Sequence, residues 1–201
     1  VEAFFKAAQA QDMRMIAGKV LMDRHAPDFL QDTAQQGYDE SKALIQRWHN
    51  QGRQRYAITP RFAPTSTPEQ LELAGALAKE YPDTYIHTHV AENPQEVEWV
   101  TSLFPQHRSY LDVYDHHGLL RDRSVYAHCI YLDDADRQRM AESQATMAFC
   151  PTSNLFLGSG LFDHQEALDL KVRVGLATDV GGGSSFSMLQ TANEAYKVQQ
   201  L

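Results

Sequence analysis

Short apolar runs recur along this chain, each followed by a polar turn and then a helix-forming stretch, and that alternation limits the fold more than any single motif. Met13–Leu21, Tyr56–Thr59, Tyr85–Val90, Ser124–Ile130, Ala145–Phe149 and Val172–Ala177 read as strands. Helical spacing is expected from Val1 to about Gln11, from Tyr38 to Asn50, from Thr67 to Glu80 and from Pro94 to Phe104. A further helical stretch leads to His117, and Asp133 and Asp136 open another. A short helix follows near Asp163–Leu170, and the last runs through Met188, Leu189, Ala192, Ala195 and Val198. Thr152–Gly160 reads as a loop. Strands alternating with helices build a parallel α/β sheet through right-handed crossovers.

A doubly wound sheet and a barrel both fit this alternation, and two features favour the barrel. Polar residues gather at the C-terminal ends of the strands, at Pro60-Arg61, His89, His128, Asn154 and Asp179, where barrel enzymes carry their chemistry. A G-x-G-x-x-G after the first strand is lacking, and Gly181-Gly182-Gly183 follows the last one instead. Six strands are fewer than the eight of a closed barrel. Either the fold is unusual or the chain is part of a longer one; one domain over residues 1–201, without a second, is expected.

Composition narrows the function. A net charge of −8 over 201 residues disfavours nucleic acid and anionic membranes as partners, because phosphate recognition needs a basic face. No apolar run approaches the ~20 residues of a membrane span. Val1-Glu2-Ala3-Phe4-Phe5 lacks the basic region and apolar core of a signal peptide. Cys129 and Cys150 each close a strand-like run and form no C-x-x-C. Buried, reduced thiols in a cytoplasmic protein are expected.

The residues suited to chemistry are few. In Tyr85–Val90, alternation places His87 and His89 on one side of a strand. Asn93, Pro94 and Glu96 then open a helix as N-cap, first helical residue and capping-box partner. His89 and Asp179 offer an imidazole and a carboxylate, a pair that suits zinc or iron. His128 either ligates the same ion, orients a bound water, or is a hydrogen-bonded core residue. Glu92 lies three residues beyond His89, within reach of a water at that ion, and could carry protons. Arg61 either binds a polar substrate edge or forms a surface ion pair. Ser153 and Asn154 either donate hydrogen bonds at the mouth or build a turn.

In combination these stretches resemble the metal-dependent amidohydrolase superfamily. The resemblance rests on His87-Thr88-His89-Val90-Ala91-Glu92, Tyr126-Ala127-His128-Cys129, Phe149-Cys150-Pro151-Thr152-Ser153-Asn154-Leu155 and Gly175-Leu176-Ala177-Thr178-Asp179. Thr59-Pro60-Arg61-Phe62, Leu157-Gly158-Ser159-Gly160 and Thr178-Asp179-Val180-Gly181-Gly182 resemble in particular its guanine-deaminating members. The resemblance implies a TIM (β/α)8-barrel of which about strands three to eight are present. It implies His89, Asp179 and His128 at the metal, Glu92 as proton shuttle, and Asp179 assisting deprotonation of the bound water. Arg61 and Phe62 would bind and stack on the purine, with His89, Glu92 and Asp179 also facing it. The implied reaction is hydrolytic deamination of guanine to xanthine and ammonia, by a zinc or iron enzyme that is a cytoplasmic homodimer when complete.

One departure stands against the match. The family takes two further ligands from an H-x-H on its first barrel strand, and the H-x-H here belongs to the later strand. A fragment holding part of the metal site, inactive by itself, is therefore expected. Two alternatives stay open: an amidohydrolase acting on another aminated heterocycle, such as a triazine or cytosine, and a non-catalytic oligomerisation or binding module.

Overall fold

A computed structural model describes residues 1–201. They divide into two compact units, Val1–Thr88 with Tyr114–Leu119, and His89–Val113 with Leu120–Leu201.

The first unit opens with α1 (Glu2–Ala10), whose Phe5 stacks on Trp48 of α2 (Ala34–Trp48) at 5.4 Å between ring centroids. The run expected as one strand is two short ones, β1 (Met15–Ala17) and β2 (Val20–Leu21), both parallel to β3 (Gln54–Pro60). Gly18 sits at the break, where a Cβ would lie 1.7 Å from the Ala57 carbonyl oxygen. Only a residue without a side chain lets the two backbones approach so closely. Helix α2 starts at Ala34 rather than near Tyr38, because the Thr33 hydroxyl caps it by accepting the Gln36 N–H. Gln35, Gln36 and Gly37 carry no apolar stripe to announce that first turn. Helix α3 (Pro68–Glu80) is capped the same way by Thr67 and leads to β4 (Tyr85–Val90), which pairs with β3 in the register Ala57 to Tyr85. Tyr56, Ile58, Leu71, Leu77 and Ile86 are fully buried here, each contributing roughly 1.5–3 kcal/mol of apolar burial.

The second unit begins at the end of β4 and continues into α4 (Pro94–Leu103) and α5 (Tyr110–His116), whose last turn belongs to the first unit. Then come β5 (Ser124–His128), α6 (Asp134–Ser143) and β6 (Thr146–Phe149). The chain continues through α7 (Pro151–Leu157), α8 (His164–Asp169), β7 (Arg173–Leu176) and α9 (Met188–Val198). β5, β6 and β7 are parallel neighbours, with Ala127 beside Ala148 and Ala148 beside Gly175. Strand β5 stops at His128 rather than Ile130, because His128 and Cys129 both take left-handed backbone angles, φ 73° and 55°. The Cys129 N–H then donates to the Val90 carbonyl and the Ile130 N–H to that of Ala91, joining the ends of β4 and β5. The segment Thr152–Gly160, expected as a loop, is largely α7: Pro151 occupies its first turn and Gly158 its left-handed C-cap. No helix in the chain is long and apolar enough to cross a membrane.

Candidate metal centre and active site

The alternation in β4 buries Ile86, Thr88 and Val90 and turns His87 and His89 the other way, with His87 exposed and His89 half-buried. His89 is the last residue but one of its strand and His128 the last of β5. Asp179 lies three residues beyond the end of β7, at φ 46°. One potential ligand atom from each of these three side chains falls within 4.8 Å of the others, and the His89 and His128 rings are 5.3 Å apart. A single ion with ligand bonds of roughly 2 Å fits such a cluster. Two imidazoles and a carboxylate are also a donor set that zinc or iron accepts.

The side chains of His128 and Asp179 are held from outside the cluster. His128 is 1% exposed, and its Nδ1–H donates to Asn154 Oδ1 at 2.9 Å. That bond leaves the lone pair on Nε2, the state an imidazole needs in order to ligate. Ser153 donates to Asp179 Oδ2 at 2.5 Å. The turn after Asp179 is tight: a Cβ at Gly183 would lie 2.1 Å from the Thr178 carbonyl oxygen. Left-handed angles at Ala91, His128, Cys129 and Asp179 concentrate backbone strain around this cluster, as functional sites commonly do.

Glu92 stands beside His128, one of the three ligand candidates. Its Oε2 is 3.6 Å from His128 Nε2, and its Oε1 accepts the Ser159 hydroxyl at 2.8 Å. The backbone N–H of Glu92 donates to Glu96 Oε2 at 3.3 Å, while the Glu96 N–H donates to Asn93 Oδ1 at 3.0 Å. Asn93 thus caps α4 as expected, but the returning carboxylate reaches Glu92 instead of the cap's own N–H. Glu96 is buried, and burial raises its carboxyl above the ordinary range, opposed by the Tyr110 hydroxyl. Cys150 lies in the same region, and burial together with the Asp179 charge pushes its thiol up to about 12. Cys129 is raised well above the usual thiol value by complete burial. Both cysteines are free and remain protonated thiols near neutrality, unsuited to act as nucleophiles.

His89, His128, Asp179 and Glu92 therefore come together within the second unit. Arg61 and Phe62 belong to the first unit, just after β3, where the Arg61 guanidinium lies over the Phe62 ring at 4.6 Å. The Arg61 N–H donates to the Leu21 carbonyl, and the Thr88 hydroxyl donates to the carbonyl of Arg61. The sequence marks no role for Ser159 or Tyr131, and marks Glu96 only as a capping-box partner. Ser159 sits in a Gly-Ser-Gly stretch that reads as a turn, and Glu96 carries the signature of an ordinary helix cap. Neither pattern shows that the side chain reaches Glu92.

Comparison with known proteins identifies the family of the chain. The chain matches the amidohydrolase family over residues 1–201. It is 58% identical over 201 residues to guanine deaminase of Escherichia coli (strain K12), covering 100% of this chain and 46% of that protein. The solved E. coli guanine deaminase superimposes with a TM-score of 0.98 at 57% identity, over 99% of this chain and 47% of that one. A guanine deaminase from C. acetobutylicum, solved with guanine in its active site, matches with a TM-score of 0.94 at 27% identity. That match covers 99% of this chain and 48% of that one. The chain spans about half the length of the relatives it matches. Its fold is accordingly a partial (β/α) barrel of parallel strands and helices, and the chain belongs to the amidohydrolase family.

Proposed function

We propose that this chain is the part of a guanine deaminase that carries His89, His128, Asp179 and Glu92, and that residues 1–201 act as one catalytic domain of the longer enzyme. The observation that carries the reading is the convergence of those three ligand atoms within 4.8 Å, with the Glu92 carboxylate alongside. The 58% identity to a guanine deaminase over the whole chain supports the substrate.

His89, His128 and Asp179 would hold zinc, with iron as the alternative. When bound, the ion supplies Lewis acidity that brings the pKa of water from 15.7 to roughly 7. The remaining work falls to the chain's own groups. Glu92 accepts a proton from the attacking water and delivers it to the ring nitrogen beside the amino-bearing carbon of guanine. A carbon–oxygen bond forms, and the carbon–amino bond then breaks as the added hydroxyl becomes the carbonyl; the hydroxyl's proton, the second of the water's two, passes through Glu92 to the amino group, which leaves as ammonia. The balance is guanine plus water giving xanthine plus ammonia, with no net redox change. Asp179 would assist as an acceptor, taking a hydrogen bond from the water as its proton leaves. Arg61, with Phe62 beneath its guanidinium, would recognise the purine. Arg61 is exposed in the structure; a bound ring that desolvates it without offering a matching acceptor would leave the guanidinium unpaired, so the contact also selects against such a ligand.

We assign the complete enzyme to the cytoplasm, on the strength of two buried free thiols, without nucleic acid or membrane as partner. The family resemblance alone carries the expectation of a homodimer, which analytical ultracentrifugation of the complete enzyme would check. Ammonia release by the full-length, metal-replete enzyme, measured on guanine, adenine, cytosine and an aminotriazine, tests the substrate. Guanine should be preferred by at least roughly 10²-fold in kcat/KM, the discrimination a buried hydrogen-bonded contact can supply. A preference for any other of these rings would refute the assignment.

A further inference from the structure

We propose that Ser159 is a positioning residue for Glu92, and that its hydroxyl leaves Oε2 as the carboxylate oxygen that carries the proton. The proposal rests on the reading of Glu92 as the proton carrier. Ser159 is 5% exposed, and its Oγ is 2.8 Å from Glu92 Oε1. The other oxygen, Oε2, is the one turned to His128 Nε2.

The serine is itself fixed from both sides. Its N–H donates to the Asn154 carbonyl at 2.9 Å, and its own carbonyl accepts the Tyr131 hydroxyl at 2.7 Å. Gly158 and Gly160 flank it at φ 69° and 142°, angles that other residues rarely adopt. A Cβ at Gly160 would come within 2.6 Å of the Tyr131 hydroxyl oxygen, so a side chain there would push away the group that holds Ser159.

A hydroxyl suits this position for a chemical reason. An ionised carboxylate accepts at both oxygens, whereas the protonated acid accepts at one and donates at the other. Ser159 can donate to Oε1 in either state, so its bond survives the arrival and departure of the proton. Oε2 is thereby kept free, facing the ligand cluster, in both halves of the reaction. Without the hydroxyl, the carboxylate's terminal torsion is broad and Oε1 loses its donor. Glu96 holds the backbone N–H of Glu92 but does not fix that torsion.

The test compares Ser159→Ala and Ser159→Thr with the wild type in the full-length, metal-replete enzyme. Ser159→Ala should lower kcat on guanine by about 10- to 100-fold, the worth of a hydrogen bond to a charged group. KM, metal content and melting temperature should stay near wild type, and Ser159→Thr, which restores the hydroxyl, should recover most of the loss. Crystal structures of wild type and Ser159→Ala should show the Glu92 carboxylate in place in the first and turned in the second. Wild-type kcat in Ser159→Ala, or equal impairment of both variants, overturns the proposal. So does an unmoved Glu92 carboxylate, and that readout holds whatever the turnover. Absence of guanine turnover in the wild type would instead count against the functional reading, leaving the carboxylate's position to decide the role of Ser159.

Discussion

Ser153, Asn154 and Ser159 hold Asp179, His128 and Glu92 respectively, so one segment of ten residues, 151–160, orients most of the candidate site. Each bond fixes a property that the side chain needs: a carboxylate rotamer, an imidazole tautomer, a proton-bearing oxygen. Asn154→Ala removes the acceptor of His128 Nδ1–H. Metal affinity of the complete enzyme should then fall by about 10- to 100-fold, as read by competition with a chelator; unchanged affinity would show that the tautomer is set elsewhere. Glu92→Gln keeps the shape but removes the titrating group, so kcat should fall by roughly 10²–10⁴-fold at constant metal content. Full turnover in that variant would exclude the shuttle role. With its thiol near 12, Cys150 at pH 8 is ionised to only about one part in 10⁴. Iodoacetamide should leave it unlabelled in the native protein and label it on unfolding, and rapid native labelling would contradict its burial.

At the scale of elements, the ends of strands were more legible than the segments after them. His89, His128 and Asp179 stand out in sequence because a polar group closes an apolar run, and a period of two says which residues share a side. Helix α7 was hidden for a local reason. Its Thr, Ser and Asn residues usually compete with the helix for backbone hydrogen bonds, and here those side chains are turned to Thr178, Asp179 and His128 instead. The break between β1 and β2 was hidden too, since the contact of Gly18 with Ala57 joins residues far apart in sequence. Overpacking that contact by Gly18→Ala should cost about 1–3 kcal/mol or more, read as a lower urea midpoint in the complete enzyme. A stability equal to wild type would mean that the strands separate at no cost.

Across the whole molecule, burial of charge should leave a mark on the pH dependence of stability. Glu96 is raised above its ordinary 4.5 mainly by burial, so the folded protein keeps that proton to higher pH than the unfolded chain does. Its contribution to stability is full below pH 4.5 and is lost as pH rises through the raised value. Glu96→Gln should flatten that slope in urea unfolding, and an identical slope would assign it to other groups.

His89, His128 and Asp179 are proposed to hold a catalytic metal ion beside Glu92 in an enzyme that deaminates guanine. Xanthine formation by the full-length protein, stripped of metal by a chelator and then reloaded with zinc or iron, tests it most directly. Turnover should vanish on stripping and return in proportion to the metal bound, and Asp179→Ala should neither hold the ion nor recover. Sustained conversion of guanine to xanthine by protein with no bound metal, or by a fully loaded Asp179→Ala variant, would contradict the account.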